Sequence, residues 1–325
     1  MRARSEALPM NRPNDIAPQA SAAKQNEKGS PAMGRRLGGL VATTAALVLC
    51  FSLPLYGLVR FAIQSTLYSH IVLIPLVSAY LVWVKRRSLP PSSAPDRRLA
   101  VLPFVAGALA LVMYRISVLA GATLARQDSL ALTTLAFLLF FGGACSLFLD
   151  RPTLRALAFP LGFLVFMVPF PVFIQTWMET VLQHGSAAAA YGFLALAGMP
   201  TLYHDLVFQL PGFTMEVAPE CSGIHSSLAL FITSVLAGWF FLRSPWRRAT
   251  LALAVFPLAL LRNGFRVFTI GELCVHIGPD MINSPIHRRG GPLFFVLSLI
   301  PFFLLLLLLL KYDRRATGAA ADRKP

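Results

Sequence analysis

The chain has 325 residues, of which 56% are hydrophobic and 13% are charged, and its formal net charge is +15. This composition excludes an ordinary soluble globular protein, because the apolar residues stand in long uncharged blocks. The positive charge is divided among short clusters between these blocks, which indicates membrane topology and contacts with lipid headgroups rather than a nucleic-acid partner. We therefore predict an all-α polytopic membrane protein.

The order of polar and apolar segments predicts three regions. Residues 1–36 contain no apolar core, so we expect a disordered cytoplasmic tail and not a cleaved signal peptide. Residues 37–310 form the predicted membrane domain, and residues 311–325 form a basic cytoplasmic tail. About eight transmembrane helices are long enough to span a bilayer, and both termini are expected in the cytoplasm. The predicted spans are 37–59, 67–84, 99–119, 129–149, 156–175, 221–242, 249–270 and 292–310.

Two segments between the fifth and sixth spans have a different character. Residues 176–198 are apolar but mixed, and if they crossed the membrane, the basic cluster at 243–248 would lie outside. We therefore interpret 176–198 as a re-entrant or interfacial helix. Residues 201–217 alternate apolar and polar side chains around a Pro-Gly pair, which predicts a short extracytoplasmic hairpin.

The candidate catalytic residues lie at the outer ends of three spans. Cys221 follows a polar, proline-broken segment, and we place it in the first turn of a helix, where the helix dipole favours the thiolate. Arg262 and Arg266 share one face of the seventh span, and His287 precedes the eighth. These side chains suit acyl transfer, in which the thiolate attacks a carbonyl, the histidine moves a proton and an arginine stabilises the oxyanion.

Each candidate also has a plainer interpretation. A cysteine in a membrane helix often only packs, and an arginine near the end of a span often reaches the headgroups. His287 would then be an ordinary loop residue. Cys274 also lies on the outer side, where a disulfide to Cys221 would leave no nucleophile. The four cysteines show no metal-binding spacing, and we predict neither a metal nor a cofactor.

Three short motifs occur in order along the chain. They are Cys221-Ser222-Gly223, Asn263-Gly264-Phe265-Arg266 and His287-Arg288-Arg289-Gly290. With these motifs the chain resembles the exosortase/archaeosortase family over roughly residues 60–310. The resemblance implies Cys221 as the nucleophile, Arg266 as the essential arginine and His287 as the third member of a bacterial, exosortase-type site. The chain departs from the family pattern at His225, where arginine is more usual, and at Ile71, where glycine is more usual.

The resemblance implies a membrane cysteine protease or transpeptidase of the bacterial inner membrane, with its active site facing the periplasm or exterior. Its partners would be exported proteins with a C-terminal sorting signal: a Pro-Glu-Pro-like motif, a hydrophobic span and a basic tail. Cleavage would pass through a Cys221 thioester, followed by transfer or release. Two alternatives remain: a transporter whose polar pathway contains the arginines and His287, and a component of an envelope-polysaccharide export system. A transporter needs no thiol at this position, which favours the enzyme.

Overall fold

The structure is a computed structural model, and it describes residues 31–90, 93–121, 124–286 and 290–321. Six helical segments in these ranges are long and apolar enough to cross a membrane, and up to eight if each of two bent pairs counts as one span. The predicted all-α polytopic fold is therefore confirmed. The helices are α1 (Pro31–Cys50), α2 (Ser52–Gln64), α3 (Ile74–Lys85), α4 (Val101–Leu119), α5 (Arg126–Phe148), α6 (Arg151–Ala156), α7 (Ala158–Phe163), α8 (Val172–Leu196), α9 (Ile224–Phe241), α10 (Pro245–Leu253), α11 (Val255–His276) and α12 (Gly291–Ala321).

The first predicted span, 37–59, is not one straight helix. It consists of α1 and α2, which meet at an angle of 71° around Phe51. Pro54 explains the break, because it donates no backbone N–H to the carbonyl of Cys50 and its ring crowds that carbonyl. The second, third and fourth spans match the candidate spans Ser69–Ser88, Arg97–Leu119 and Arg126–Phe148.

The fifth predicted span, 156–175, also differs from the structure. Helical structure ends at Met167, an extended segment follows, and α8 begins at Val172 with a bend of 89°. Pro169 and Pro171 account for the interruption, because proline both removes a hydrogen-bond donor and keeps the preceding residue out of the helical region. Residues 172–196 are therefore one helix, which begins earlier than the predicted segment 176–198. A bend of this size fits a broken span as well as a re-entrant segment, so the re-entrant or interfacial interpretation stays a prediction.

Helices α8 and α11 pack side by side and run in the same direction. Gly185 lies against Leu260, and the rings of Phe193 and Phe268 are 5.9 Å apart, so the contacts advance along both helices together. A Cβ atom on Gly264 would lie 2.5 Å from the Cβ atom of Ala189. Small side chains of this kind allow two membrane helices to approach with their backbones almost in contact.

A small antiparallel sheet covers one end of this helix pair. Its strands are β1 (Leu202–His204), β2 (Val207–Leu210) and β3 (Phe213–Glu216), in the order β1-β2-β3. The β2–β3 pair confirms the predicted hairpin, and β1 adds a strand that the sequence pattern did not indicate. Buried side chains of the sheet pack against α8 and α11, so the chain leaves β3 close to α11.

The last helix passes the predicted boundary at residue 310 without a break and ends at Ala321. Asp313 is buried there and accepts hydrogen bonds from the backbone N–H of Arg243 and from the Arg247 guanidinium. These bonds connect α12 to the loop between α9 and α10. Of the predicted N-terminal tail, residues 1–30 lie outside the described residues, and residues 31–36 belong to α1.

Candidate active site

Cys221 lies on a short 3₁₀ turn, Pro219–Ser222, between β3 and α9. The prediction that it occupies the first turn of a helix is therefore wrong, because α9 begins only at Ile224. The residue between them, Gly223, has φ = +74°, a left-handed conformation that redirects the chain before the helix begins. We call residues Pro219–Gly223 the cysteine turn.

Gly223 is required by contacts as well as by its backbone conformation. A Cβ atom at this position would lie 3.2 Å from Arg262 Nη2 and from the Asn263 side chain. The Cys-Ser-Gly motif thus needs its glycine for two separate physical reasons. Any other residue would strain the turn and push it away from α11.

Two neighbouring side chains of α11 hold the cysteine turn through its carbonyl groups. Asn263 Nδ2 donates a hydrogen bond to the carbonyl of Cys221 at 2.5 Å. Arg262 Nη2 donates to the carbonyl of Gly223 at 3.3 Å and to Ser227 Oγ at 3.2 Å. The Gly223 carbonyl also accepts from the backbone N–H of Ser227, so Arg262 adds a contact from α11 to a carbonyl that already has a partner.

Helix α8 holds the same segment from the other side. Gln183 is 8% exposed, and its Nε2 donates to the carbonyl of Val217, four residues before the cysteine. The tight packing of α8 on α11 brings these supports together. Nothing in the sequence around Gln183 indicates a hydrogen-bond partner 34 residues away, so this contact is visible only in the structure.

Cys221 and Arg266 line the same small cavity, which we call the cysteine cavity. Its volume is about 30 Å³, which is room for a water molecule. The remaining lining residues are Met215, Glu216, Val217, Asn263, Val267, Ile270 and Ile282. The structure thus brings together two of the three predicted site residues, which come from different elements of the fold.

Arg266 also borders a larger cleft of about 800 Å³. Gln175 and Glu179 of α8 line this cleft together with Pro219, Ser222 and Gly223 of the cysteine turn. His225, Arg266 and the first residues of α12, Gly291 and Pro292, also line it. Arg266 therefore stands between the cysteine cavity and a cleft with room for several residues of a ligand.

Comparison with protein families identifies the family of the chain. The model of the transmembrane exosortase family matches residues 62–304, which is most of the chain and includes all three motifs. The chain belongs to the transmembrane exosortase family. No curated protein and no solved structure matches it. With its candidate spans, the protein is therefore a multi-pass membrane protein of the exosortase type.

The other residues that the sequence singled out in this exosortase lie in different environments, and one of them is outside the described residues. His287 lies outside the described residues, so its predicted role stays a prediction. Arg262 is buried and supports the cysteine turn, so it does not extend toward lipid headgroups. His225, the departure from the family pattern, is exposed at the cleft.

The structure does not contain the alternative disulfide. All four cysteines are described, and none forms a disulfide. Cys274 is buried in α11 with its sulfur 4.0 Å from the carbonyl oxygen of Pro279. It lies three turns beyond Asn263, about 16 Å along the helix axis, whereas Cys221 is held at the level of Asn263. A disulfide needs Cα atoms within about 7 Å of each other.

A polar network on the α8 side of the cleft has no counterpart in the sequence analysis. Gln175 Oε1 accepts hydrogen bonds from the Tyr68 hydroxyl at 2.9 Å and from Gln127 Nε2 at 2.7 Å. Gln175 Nε2 in turn donates to Glu179 Oε1 at 2.9 Å. The Tyr68 hydroxyl is protonated at neutral pH, like that of an ordinary tyrosine, and can therefore donate the hydrogen bond to Gln175. The network connects three regions that are far apart in sequence.

Proposed function

We propose that this exosortase-family protein is a cysteine peptidase or transpeptidase that acts on C-terminal sorting signals of exported proteins. The observation that carries the proposal is the shared cavity of Cys221 and Arg266, with Arg266 also bordering the large cleft. A thiol and a fixed guanidinium beside a ligand-sized cleft suit acyl transfer better than transport or a purely structural role.

The reaction follows from the chemistry of these side chains. The Cys221 thiolate attacks the scissile carbonyl carbon, and Arg266 donates hydrogen bonds to the oxyanion that forms. Collapse of the tetrahedral intermediate breaks the C–N bond, releases the C-terminal tail as an amine and leaves a thioester on Cys221. His287 is proposed to carry the proton to the leaving amine, a role that rests on its motif.

The support of the cysteine turn fits this mechanism. Backbone carbonyls on both sides of Cys221 are fixed by Gln183, Asn263 and Arg262, so the sulfur is presented from a turn with little freedom to move. A nucleophile held in place lowers the entropic cost of reaching the transition state.

The substrate signal fits the membrane setting. A protein anchored by its own hydrophobic span diffuses in two dimensions and meets the enzyme at a high effective concentration. From the distribution of Lys and Arg we propose that both termini lie in the cytoplasm and that the cysteine turn lies at the outer face of the bacterial inner membrane. The Pro-Glu-Pro-like motif would then enter the cleft from the exported side.

A reporter experiment tests the proposal. A secreted reporter with a Pro-Glu-Pro motif, a hydrophobic span and a basic tail is co-expressed with the full chain, and its size is followed by immunoblot. We expect the wild-type chain to shorten the reporter and Cys221→Ser to leave it intact. Cys50→Ser is the matched control, because Cys50 is exposed on α1 and takes no part in the site. A Cys221→Ser variant that still shortened the reporter would exclude the cysteine mechanism and favour the transporter or export-component alternative.

A further inference from the structure

We propose that the large cleft binds the primary ammonium group of an acceptor molecule, and that Glu179 is the carboxylate that binds it. This inference rests on the proposed function, since the acceptor would resolve the Cys221 thioester. It goes further by assigning a chemical class to the acceptor and a binding site at Glu179, in the cleft that the cysteine turn also lines.

The position of Glu179 is the first observation. It is the single acidic residue in the 25 residues of α8, whose other side chains are mostly apolar or small. A carboxylate in a membrane-associated helix carries a desolvation cost, so such residues usually face a polar cavity and serve a function. Glu179 is half-buried and lines the cleft.

The orientation of Glu179 is the second observation. The two hydrogen bonds that Gln175 Oε1 accepts, from Tyr68 and Gln127, determine which way the Gln175 amide points. Its Nε2 group is thereby directed at Glu179 Oε1, which accepts a hydrogen bond from it at 2.9 Å. A chain of four side chains from three parts of the sequence therefore holds one negative charge at the cleft.

The distribution of charge across the cleft is the third observation. Arg266, His225 and Glu179 all line the cleft, and of these three only Arg266 also lines the cysteine cavity with Cys221. Among the described residues, no salt bridge includes Glu179. A ligand with a positive group therefore finds its counter-charge on the α8 side, while the electron-rich acyl carbonyl lies toward Arg266. The cleft volume of about 800 Å³ has room for both.

The acceptor step balances as follows. The ammonium group gives one proton to the Glu179 carboxylate and becomes a neutral amine. Its nitrogen forms a C–N bond with the thioester carbonyl carbon, and the C–S bond breaks with its electron pair returning to the Cys221 sulfur. The second proton that the nitrogen loses passes to that thiolate. The products are an amide, the free thiol and a protonated Glu179, which then loses its proton to water.

Two small amines test the inference with the full chain and the reporter in proteoliposomes. Methylamine is cationic at neutral pH, whereas hydroxylamine is uncharged, and both react with thioesters. Glu179→Gln keeps the size of the side chain and removes its charge. We expect this variant to lower capture of the reporter by methylamine by about tenfold or more, because a charge-assisted hydrogen bond is lost. Capture by hydroxylamine should remain within about twofold of wild type.

Glu216→Gln is the matched control. Glu216 is also a carboxylate close to Cys221, but it lines the cysteine cavity and not the cleft. This variant should not change the ratio of methylamine to hydroxylamine capture. Equal loss of both captures in Glu179→Gln, or no loss of either, would overturn the ammonium site.

Release of the C-terminal tail separates this inference from the proposed function. Tail release measures formation of the thioester and does not need an acceptor amine, so the capture by each amine is divided by the amount of tail that the same variant releases. Capture by hydroxylamine shows that the variant is folded. If the wild-type chain released no tail, the proposed function would fail. If release continued while methylamine capture ignored Glu179, only the acceptor site would fail.

Discussion

Two pairs of membrane helices in this protein pack closely, but only one of them holds the cysteine turn. Helices α4 and α5 form an antiparallel pair in which a Cβ atom on Gly107 would make ordinary contacts of 3.4 Å. In the parallel pair α8 and α11, a Cβ atom on Gly264 would lie 2.5 Å from Ala189 Cβ and 2.9 Å from the backbone nitrogen of Ala190. The second pair is packed so tightly that it has no room for a methyl group.

The polar side chains of the two pairs also differ. In α5, buried Thr133 and Ser146 donate to carbonyl groups of their own helix, which satisfies them without connecting anything else. In α8 and α11, Gln183 and Asn263 donate to the backbone of the segment around Cys221. These buried side chains of α5 thus bond within one helix, whereas Gln183 and Asn263 connect α8 and α11 to the segment that carries Cys221.

The largest expected effect comes from replacing one arginine by lysine in each of the two helix pairs. Arg266→Lys keeps the charge at the cysteine cavity but removes the planar, forked donor, so we expect tail release to fall by about 100-fold or more, the usual effect of losing an oxyanion donor. Arg115→Lys is the control, because Arg115 is exposed on α4. The measurement is the initial rate of reporter cleavage. A rate for Arg266→Lys within a few-fold of wild type would mean that charge alone suffices.

The second-largest expected effect concerns the packing of α8 against α11 at Gly264. Gly264→Ala should separate α8 from α11 and lower stability by about 1–3 kcal/mol, the range for overpacked sites, with a parallel loss of tail release. Gly107→Ala should be neutral or raise stability by up to about 1 kcal/mol, because alanine is the better helix former. Thermal unfolding in detergent measures both variants. Equal tolerance of the two substitutions would remove the proposed difference between the helix pairs.

Part of this arrangement could be predicted from the sequence and part could not, for identifiable reasons. Apolar length and basic clusters report where helices cross a membrane, so the spans of α4 and α5 were located to within a few residues. The prolines at positions 54, 169 and 171 were visible, but a proline does not reveal the angle of a bend. The breaks of 71° and 89° therefore appear only in the structure.

The candidate site, too, could be predicted only in part from the sequence. Motif order placed Cys221 and Arg266 together, but the conformation of Gly223 depends on its contacts with α11, so the turn before α9 was taken for part of a helix. The network of Tyr68, Gln175 and Glu179 joins residues up to 107 positions apart. A single glutamine does not form a repeating sequence pattern, so the sequence does not indicate its hydrogen-bond partners. These partners are visible only in the folded chain.

The smallest expected effect concerns the hydrogen bond from Gln183 of α8 to the segment before Cys221. Gln183→Leu keeps the approximate volume but leaves the carbonyl of Val217 without its donor, which should cost about 1–3 kcal/mol and slow tail release by about tenfold. Thr133→Val in α5 removes a hydrogen bond within one helix and should leave tail release unchanged. If both variants lost stability equally but released the tail at the wild-type rate, Gln183 would only stabilise the fold. A loss of release larger than the loss of stability explains would instead identify Gln183 as a residue that positions the cysteine turn.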